Sequence, residues 1–214
     1  MNRGLFISFE GGEASGKSVQ AEALARTLEG RGIDVVPVHE PGSTPLGERV
    51  RDILLHAADV PLTAEAQALL FSAARAQLVH DVIRPALEAG KTVIADRFYD
   101  STLVYQGHGQ DADRAGILAV TAFAVDGVRP DRTFLLDVPV DVALARRARE
   151  AGRSWDRFEA GESAFHERLR EGYLALARAE PARFVVVVAD RDEAAIASDI
   201  RRSVEGLLGV PSRP

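Results

Sequence analysis

The chain has 214 residues, with 32 acidic side chains against 26 Lys and Arg, a net charge of −6 and no cysteine. That length fits one domain with ample core, and the acidic balance argues against a general nucleic-acid-binding surface. Disulfides and thiolate metal sites are excluded, and no apolar run approaches the roughly 20 residues of a membrane span. The first apolar run begins at residue 5, which leaves no room for a secretory signal, so the chain is expected to be cytoplasmic without a membrane partner.

Residues 5–9, LFISF, read as a buried strand. Gly11-x-x-x-x-Gly16-Lys17-Ser18 follows at once, and residues 19–28 have helical spacing. A strand, a glycine-rich loop and a helix form the context in which this Walker A pattern holds phosphates. Gly11 and Gly16 permit the tight turn that points successive N–H groups at an anion, and Gly12, Glu13, Ala14 and Ser15 complete the loop. The helix adds its positive end, Lys17 a mobile charge for the β- and γ-phosphates, and Ser18 a hydroxyl for Mg²⁺. Lys17 and Lys91 are the only lysines in a chain that otherwise uses arginine, which favours a retained role for Lys17. The chain is read as a nucleotide-phosphate binder.

Residues 34–38 read as a second strand, running into the turn-rich loop His39-Glu40-Pro41-Gly42-Ser43-Thr44-Pro45. Residues 46–55 form a short amphipathic helix. Residues 63–89 form a long one, N-capped by Thr63 and kinked at Pro85. A third strand over residues 92–95 ends at Asp96, followed by Arg97. A helix starts at Ser101, residues 107–113 are loop-like, and residues 115–125 are helical. A fourth strand, 133–136, ends at Asp137 and leads to an arginine-rich helix over 140–149. Residues 151–161 lack periodicity and read as mobile. Helix 162–179, strand 184–189 and helix 193–208 close the chain. Alternating strands and helices predict an α/β domain spanning 1–214, with a P-loop-type parallel sheet of five strands flanked by helices and a mobile lid near 146–161.

Two strand-end carboxylates compete to orient Mg²⁺, Asp96 and Asp137. Asp96 is preferred because Arg97 follows directly, and an Asp-Arg pair at a strand's carboxyl end lies where such sheets bind ligands.

Gly11 to Ser18, Glu40-Pro41-Gly42, Phe71-x-x-x-Arg75, Asp96-Arg97-Phe98 and Ser101-Thr-x-x-Tyr105-Gln106-Gly107 occur in the order and spacing of thymidylate kinases, which this sequence resembles over almost its whole length. The strand with Leu135-Leu-Asp-Val138 and the segment Asp156-Arg157-Phe158-Glu159 extend the resemblance. It implies ATP and dTMP as substrates, Mg²⁺ as cofactor and a homodimer. Phe71 resembles the ring stacked on thymine, Arg75 the donor to a base carbonyl, and Ser101 and Thr102 the polar residues near the base's N3 edge. Tyr105 resembles the ring that disfavours ribose, Gln106 falls in the matching motif, and Glu40 and Pro41 fall in the acceptor loop. Arg97 resembles the clamp on the acceptor phosphate, and Glu13 the family's acidic loop residue near the acceptor's phosphate or sugar.

With Ala14 following Glu13, the loop lacks the catalytic arginine that some members carry there, and the resemblance implies that a lid arginine supplies it. Arg146, Arg147, Arg149, Arg153 and Arg157 flank or occupy that stretch, and Arg153 is the first choice. His39, Ser43 and Val19 depart from the family pattern, at positions near the acceptor phosphate and the donor α-phosphate. A GTP switch usually reads guanine through Asn-Lys-x-Asp, and this chain's only asparagine is Asn2.

Overall fold

The computed structural model of the protein describes residues 3–57, 59–110, 112–149, 158 and 163–208. In chain order the elements are β1 (Phe6–Glu10), α1 (Lys17–Glu29), β2 (Val35–His39), α2 (Pro45–Arg51), α3 (Ala64–Leu78), α4 (Arg84–Glu88) and β3 (Thr92–Asp96). Then come α5 (Tyr99–Thr102), α6 (Arg114–Val125), β4 (Arg132–Asp137), α7 (Val140–Ala148), α8 (Ser163–Ala179), β5 (Phe184–Val188) and α9 (Glu193–Leu208). The strands pair in parallel in the order β2-β3-β1-β4-β5. The first strand is therefore central, with β3 and β4 on either side. All five expected strands are present, with ends displaced by one residue at most.

Alternation along β1 divides the core. Ile7 and Phe9 pack with Leu24 and Leu28 of α1 and Ile196 and Ile200 of α9. Phe6 turns to the opposite side, against Leu78, Val79, Ile83 and Phe98. A third cluster joins Leu135 and Phe184 to Leu169 and Tyr173 of α8. Each fully buried Leu, Ile or Phe side chain stabilises by about 1.5–3 kcal/mol relative to exposure, so the sheet's placement is dominated by these contacts.

Caps follow the residue types. Thr44 accepts from Gly47 N at 2.9 Å and the expected cap Thr63 from Ala66 N at 3.2 Å, while Asp113 caps α6. Three helical expectations need correction. The helix expected over 46–55 is α2 followed by a π turn, Asp52–His56. The long helix over 63–89 is interrupted by another π turn, Val79–Ile83, before Pro85 enters the first turn of α4. Proline has no N–H and its ring crowds the carbonyl four residues back, so a wider turn accommodates it there. Finally, the helix expected from residue 101 starts at Tyr99 and continues through a π turn, Leu103–Gly109, so residues 107–109 are not loop. This turn packs tightly on α8: a Cβ at Gly109 would lie 2.7 Å from the Phe165 ring, and one at Gly172 3.1 Å from His108. The expected mobile segment 151–161 lies outside the described residues, apart from Phe158.

Candidate active site

The loop after β1 turns at Gly11, where φ is +142° and an added Cβ would sit 2.6 Å from the Leu136 carbonyl oxygen. Only glycine meets both demands. Gly16 caps α1 at φ +91°, and the first turn of α1 has no acidic residue to offset its positive end. Ala14 is also left-handed, at φ +52°. Lys17 Nζ donates to Gly12 O at 2.6 Å and lies 3.3 Å from Ser15 Oγ. Burial, then the neighbouring Arg97, lowers the Lys17 ammonium to about 8 against the pull of Glu13, Asp96 and Glu10.

Parallel pairing sets Phe9 opposite Asp96. The Asp96 carboxylate consequently reaches α1, where Ser18 Oγ donates to Asp96 Oδ2 at 2.5 Å. Its competitor, Asp137, instead receives Arg170 of α8 in a bidentate pair, at 2.7 and 2.9 Å. The tertiary geometry therefore brings Asp96, and not Asp137, to Ser18. Ser18 and Asp96 fit a Mg²⁺ that arrives on nucleotide phosphates, since Mg²⁺ needs only one or two protein oxygens in such sites.

Arg97 is left-handed at φ +69° and sits between the loop and the opposite wall. Its Nη2 donates to Glu13 Oε1 at 2.7 Å and to Tyr105 Oη at 3.2 Å. Its Nη1 donates to Gly11 O, Ser101 Oγ and Tyr173 Oη at 3.1, 3.0 and 3.2 Å. Tyr105 Oη donates to Glu13 Oε1 at 2.6 Å. Burial alone would push the Glu13 carboxyl up, but Arg97, Lys17 and the Tyr105 hydroxyl together hold it at about 2. A carboxylate in a phosphate loop is thus tolerated because cations surround it.

The far wall carries Phe71 and Arg75 on α3. Arg75, 1% exposed, places Nε 2.5 Å from Glu40 Oε1 and donates from Nη2 to Thr102 Oγ1 at 2.7 Å. Its Nη1 is buried without a hydrogen-bond partner among the described residues, although Arg75 lines the cleft. Such a donor is suited to a ligand carbonyl. Burial pushes the Glu40 carboxyl up to about 7 against the pull of Arg75. Phe71 faces the Phe158 ring at 5.9 Å, and Tyr105 meets Phe158 edge-on at 5.7 Å. Gln106 Nε2 donates to Gln67 Oε1 at 3.1 Å.

These walls enclose one cleft of about 920 Å³. It is lined by residues from Glu13 to Ser18, and by Glu40, Pro41, Phe71, Arg75, Asp96, Arg97, Ser101, Thr102, Tyr105 and Gln106. Gly11 and Gly12 contribute backbone behind it: their carbonyls receive Arg97 and Lys17. Arg153 and Arg157 lie outside the described residues. Arg149 is exposed after α7, whereas Arg146 and Arg147 reach the cleft. Arg146 donates to Ala189 O at 2.8 Å and approaches Ala14 O at 3.4 Å. His39, where the resemblance has arginine, lines the cleft with Nε2 2.9 Å from Glu48 Oε1 and Nδ1 3.2 Å from Ser43 Oγ.

Sequence reasoning missed several wall residues. Ala189, Arg191, Glu193 and Ile196 follow the carboxyl end of β5, so the strand-end rule that found Asp96 could have found them. Arg51 and Leu55 had no local signal, because their direction depends on how α2 and the π turn pack on α3. Arg51 is held there by a 2.9 Å bond to Pro41 O.

The family model described as Thymidylate kinase matches residues 9–200. A thymidylate kinase of Symbiobacterium thermophilum is 45% identical over 98% of this chain and 99% of its own length. One from Pseudomonas fluorescens is 47% identical over 96% and 95% respectively. A crystal structure of thymidylate kinase from Ehrlichia chaffeensis superposes with a TM-score of 0.75 at 31% identity, covering 94% of this chain and 99% of that one. With its phosphate loop, its Asp96-Arg97 turn and these matches along nearly its full length, the chain belongs to the thymidylate kinase family.

Proposed function

We propose that the protein transfers the γ-phosphoryl group of ATP to dTMP, giving dTDP. The observation that carries this reading is the single cleft walled at one end by the phosphate loop and at the other by Phe71, Arg75 and Tyr105, with Arg97 between them. The acceptor is already a phosphate, largely dianionic near neutral pH, so no general base is required. Catalysis reduces to in-line positioning and charge neutralisation.

In this reading the loop N–H groups and Lys17 hold the donor phosphates, Lys17 exchanging its bond to Gly12 for them. Ser18 and Asp96 would hold Mg²⁺, which neutralises phosphate charge when bound. Arg97 takes the acceptor phosphate, and Glu13 and Tyr105 face its sugar. Phe71 stacks on the base, with Arg75 Nη1 free to meet a carbonyl. A lid near 146–161 contributes an arginine, Arg153 first, and the whole chain acts as one kinase domain. A cytoplasmic location belongs to the same reading, and no helix among the described residues is long and apolar enough to cross a membrane.

A homodimer is part of the same reading. Its support is the exposed apolar side chains on the packed helices α3 and α6, where Leu69, Leu118 and Phe123 are 58%, 47% and 84% exposed. Light scattering at micromolar concentration is expected to give twice the chain mass, and a monomer mass would refute it.

The deciding experiment is a coupled assay with ATP, Mg²⁺ and a panel of nucleoside monophosphates. dTMP is expected to give the highest kcat/KM. A preference for UMP, CMP or GMP would assign a different monophosphate kinase, and ATP binding without transfer would make the chain an ATP-switched interaction module.

A further inference from the structure

Glu10 is the last residue of β1, and alternation turns its side chain to the same side as Phe6 and Ser8. It is 0% exposed. A carboxylate there carries a heavy desolvation cost unless its oxygens are fully used. They are: Oε1 accepts from Phe98 N at 2.8 Å, and Oε2 accepts from Ser101 Oγ at 2.7 Å and Tyr173 Oη at 3.2 Å. All three donors surround Arg97. Phe98 follows it in the chain, and the Ser101 and Tyr173 oxygens each receive its Nη1.

We propose that Glu10 is a positioning residue for phosphoryl transfer, acting through Arg97 from behind the cleft. The inference rests on the reading of Arg97 as the acceptor-phosphate clamp. Two physical arguments carry it. A non-glycine residue at φ +69° is strained and persists only where its surroundings hold it. Here the flanking amides do so: Arg97 N donates to Phe9 O at 3.0 Å, and Phe98 N to Glu10. The second argument concerns the Ser101 proton. Above about pH 7, where it is ionised, the Glu10 carboxylate only accepts, so it draws the single Ser101 proton toward itself and leaves the oxygen's lone pairs for Arg97. An amide in place of Glu10 cannot do both tasks. With its oxygen on Phe98 N, its NH₂ faces Ser101 and displaces that proton toward Arg97 or toward Tyr173 Oη, 2.9 Å away; flipped, its NH₂ faces the Phe98 N–H.

The test is a double-mutant cycle of Glu10→Gln and Arg97→Ala, with circular dichroism to confirm folding. Glu10→Gln is expected to lower kcat/KM for dTMP about tenfold or more, since small misplacements of a clamp are costly. KM for ATP should stay within about twofold of wild type, a split that a general loss of packing would not give. On the Arg97→Ala background, Glu10→Gln should then change kcat/KM by less than about twofold. If the two losses simply add, or if Glu10→Gln alone behaves as wild type, the positioning role is overturned. Should Arg97→Ala itself leave the kinetics toward dTMP unchanged, the clamp reading fails and the inference falls with it. If Glu10→Gln does not fold, Ser101→Ala breaks the same link and carries the cycle with the same outcomes.

Discussion

The Ser18 hydroxyl donates to the Asp96 carboxylate across 2.5 Å, joining the first turn of α1 to the carboxyl end of β3. The two residues are 78 positions apart, and they meet because β1 and β3 are parallel neighbours with Phe9 opposite Asp96. Asp137, which closes the neighbouring strand with the same local pattern, is instead neutralised by Arg170 of α8. Asp96→Ala is therefore expected to lower activity and raise the Mg²⁺ concentration needed for half-maximal rate. Asp137→Ala should mainly lower Tm. Equal Mg²⁺ dependence in the two variants would remove Asp96 from the metal assignment.

Lys17→Ala should abolish transfer while preserving the fold. Among the described residues the ammonium group donates to loop oxygens, Gly12 O and Ser15 Oγ, so no hydrogen bond to another part of the fold is lost with it. Steady-state turnover together with circular dichroism checks this, and near-wild-type turnover would sink the phosphate-loop assignment.

Arg75→Ala removes the cation beside a buried carboxylate. Leaving Glu40 without it should cost about 3–5 kcal/mol, because an uncompensated buried charge is far worse than a missing pair. Adding Glu40→Gln should recover much of that loss in denaturant unfolding, while dTMP affinity stays impaired. If Arg75→Ala is as stable as wild type, the 2.5 Å pair contributes nothing and the premise is wrong.

Tyr105→Ala should narrow the preference for dTMP over its ribose counterpart, since the ring packs against Phe158 and its hydroxyl reaches Glu13. An unchanged activity ratio would show that Tyr105 does not read the sugar.

Stability should depend on pH in two opposite ways. Burial and then Asp100 raise Glu10 to about 7 against the pull of Arg97, and burial raises Glu40 to about 7 against Arg75. Between their ordinary value of 4.5 and about 7, the folded state binds more protons than the unfolded one, so stability falls as pH rises through that window. Glu13, held at about 2, behaves oppositely: its contribution is present above 4.5 and is lost as pH falls toward 2. Thermal melts should therefore give a higher Tm at about pH 5.5 than at 7.5, with a drop below about 4. In Glu10→Gln the gain between 7.5 and 5.5 should shrink. A Tm that rises steadily from pH 5.5 to 7.5 would contradict these shifts.

The lid prediction is the boldest. Ala14 leaves the loop without an arginine, and an arginine acting on the transferred phosphoryl can be worth about 10³-fold or more. At least one of Arg149→Ala, Arg153→Ala and Arg157→Ala should lower turnover by roughly two decades with little change in dTMP affinity. If all three stay within about threefold of wild type, neutralisation must come from Lys17, Arg97, Mg²⁺ or Arg146, which already touches the loop at Ala14 O.

The ordered motifs shared with thymidylate kinases were what made the far-wall residues Phe71, Arg75, Ser101, Thr102, Tyr105 and Gln106 legible, whereas local chemistry by itself determined the strand-loop-helix of residues 5–28, the five strands and the Thr63 cap. Each of these rests on side-chain period, glycine φ or a donor placed a few residues away, all of which are written in adjacent positions. Tertiary structure alone decided which strand-end carboxylate faces Ser18, how Arg51 and the end of β5 enter the cleft, and that Glu10 stands behind Arg97. Glu10 looks in sequence like the polar end of a strand. Its burial, and the convergence on it of Phe98, Ser101 and Tyr173 from the turn after β3, from α5 and from α8, follow from strand order and helix packing, which no local pattern encodes. The π turns belong to the same group: Pro85 announces an interruption, but where the helix widens depends on the packing around Val79 and Ile83.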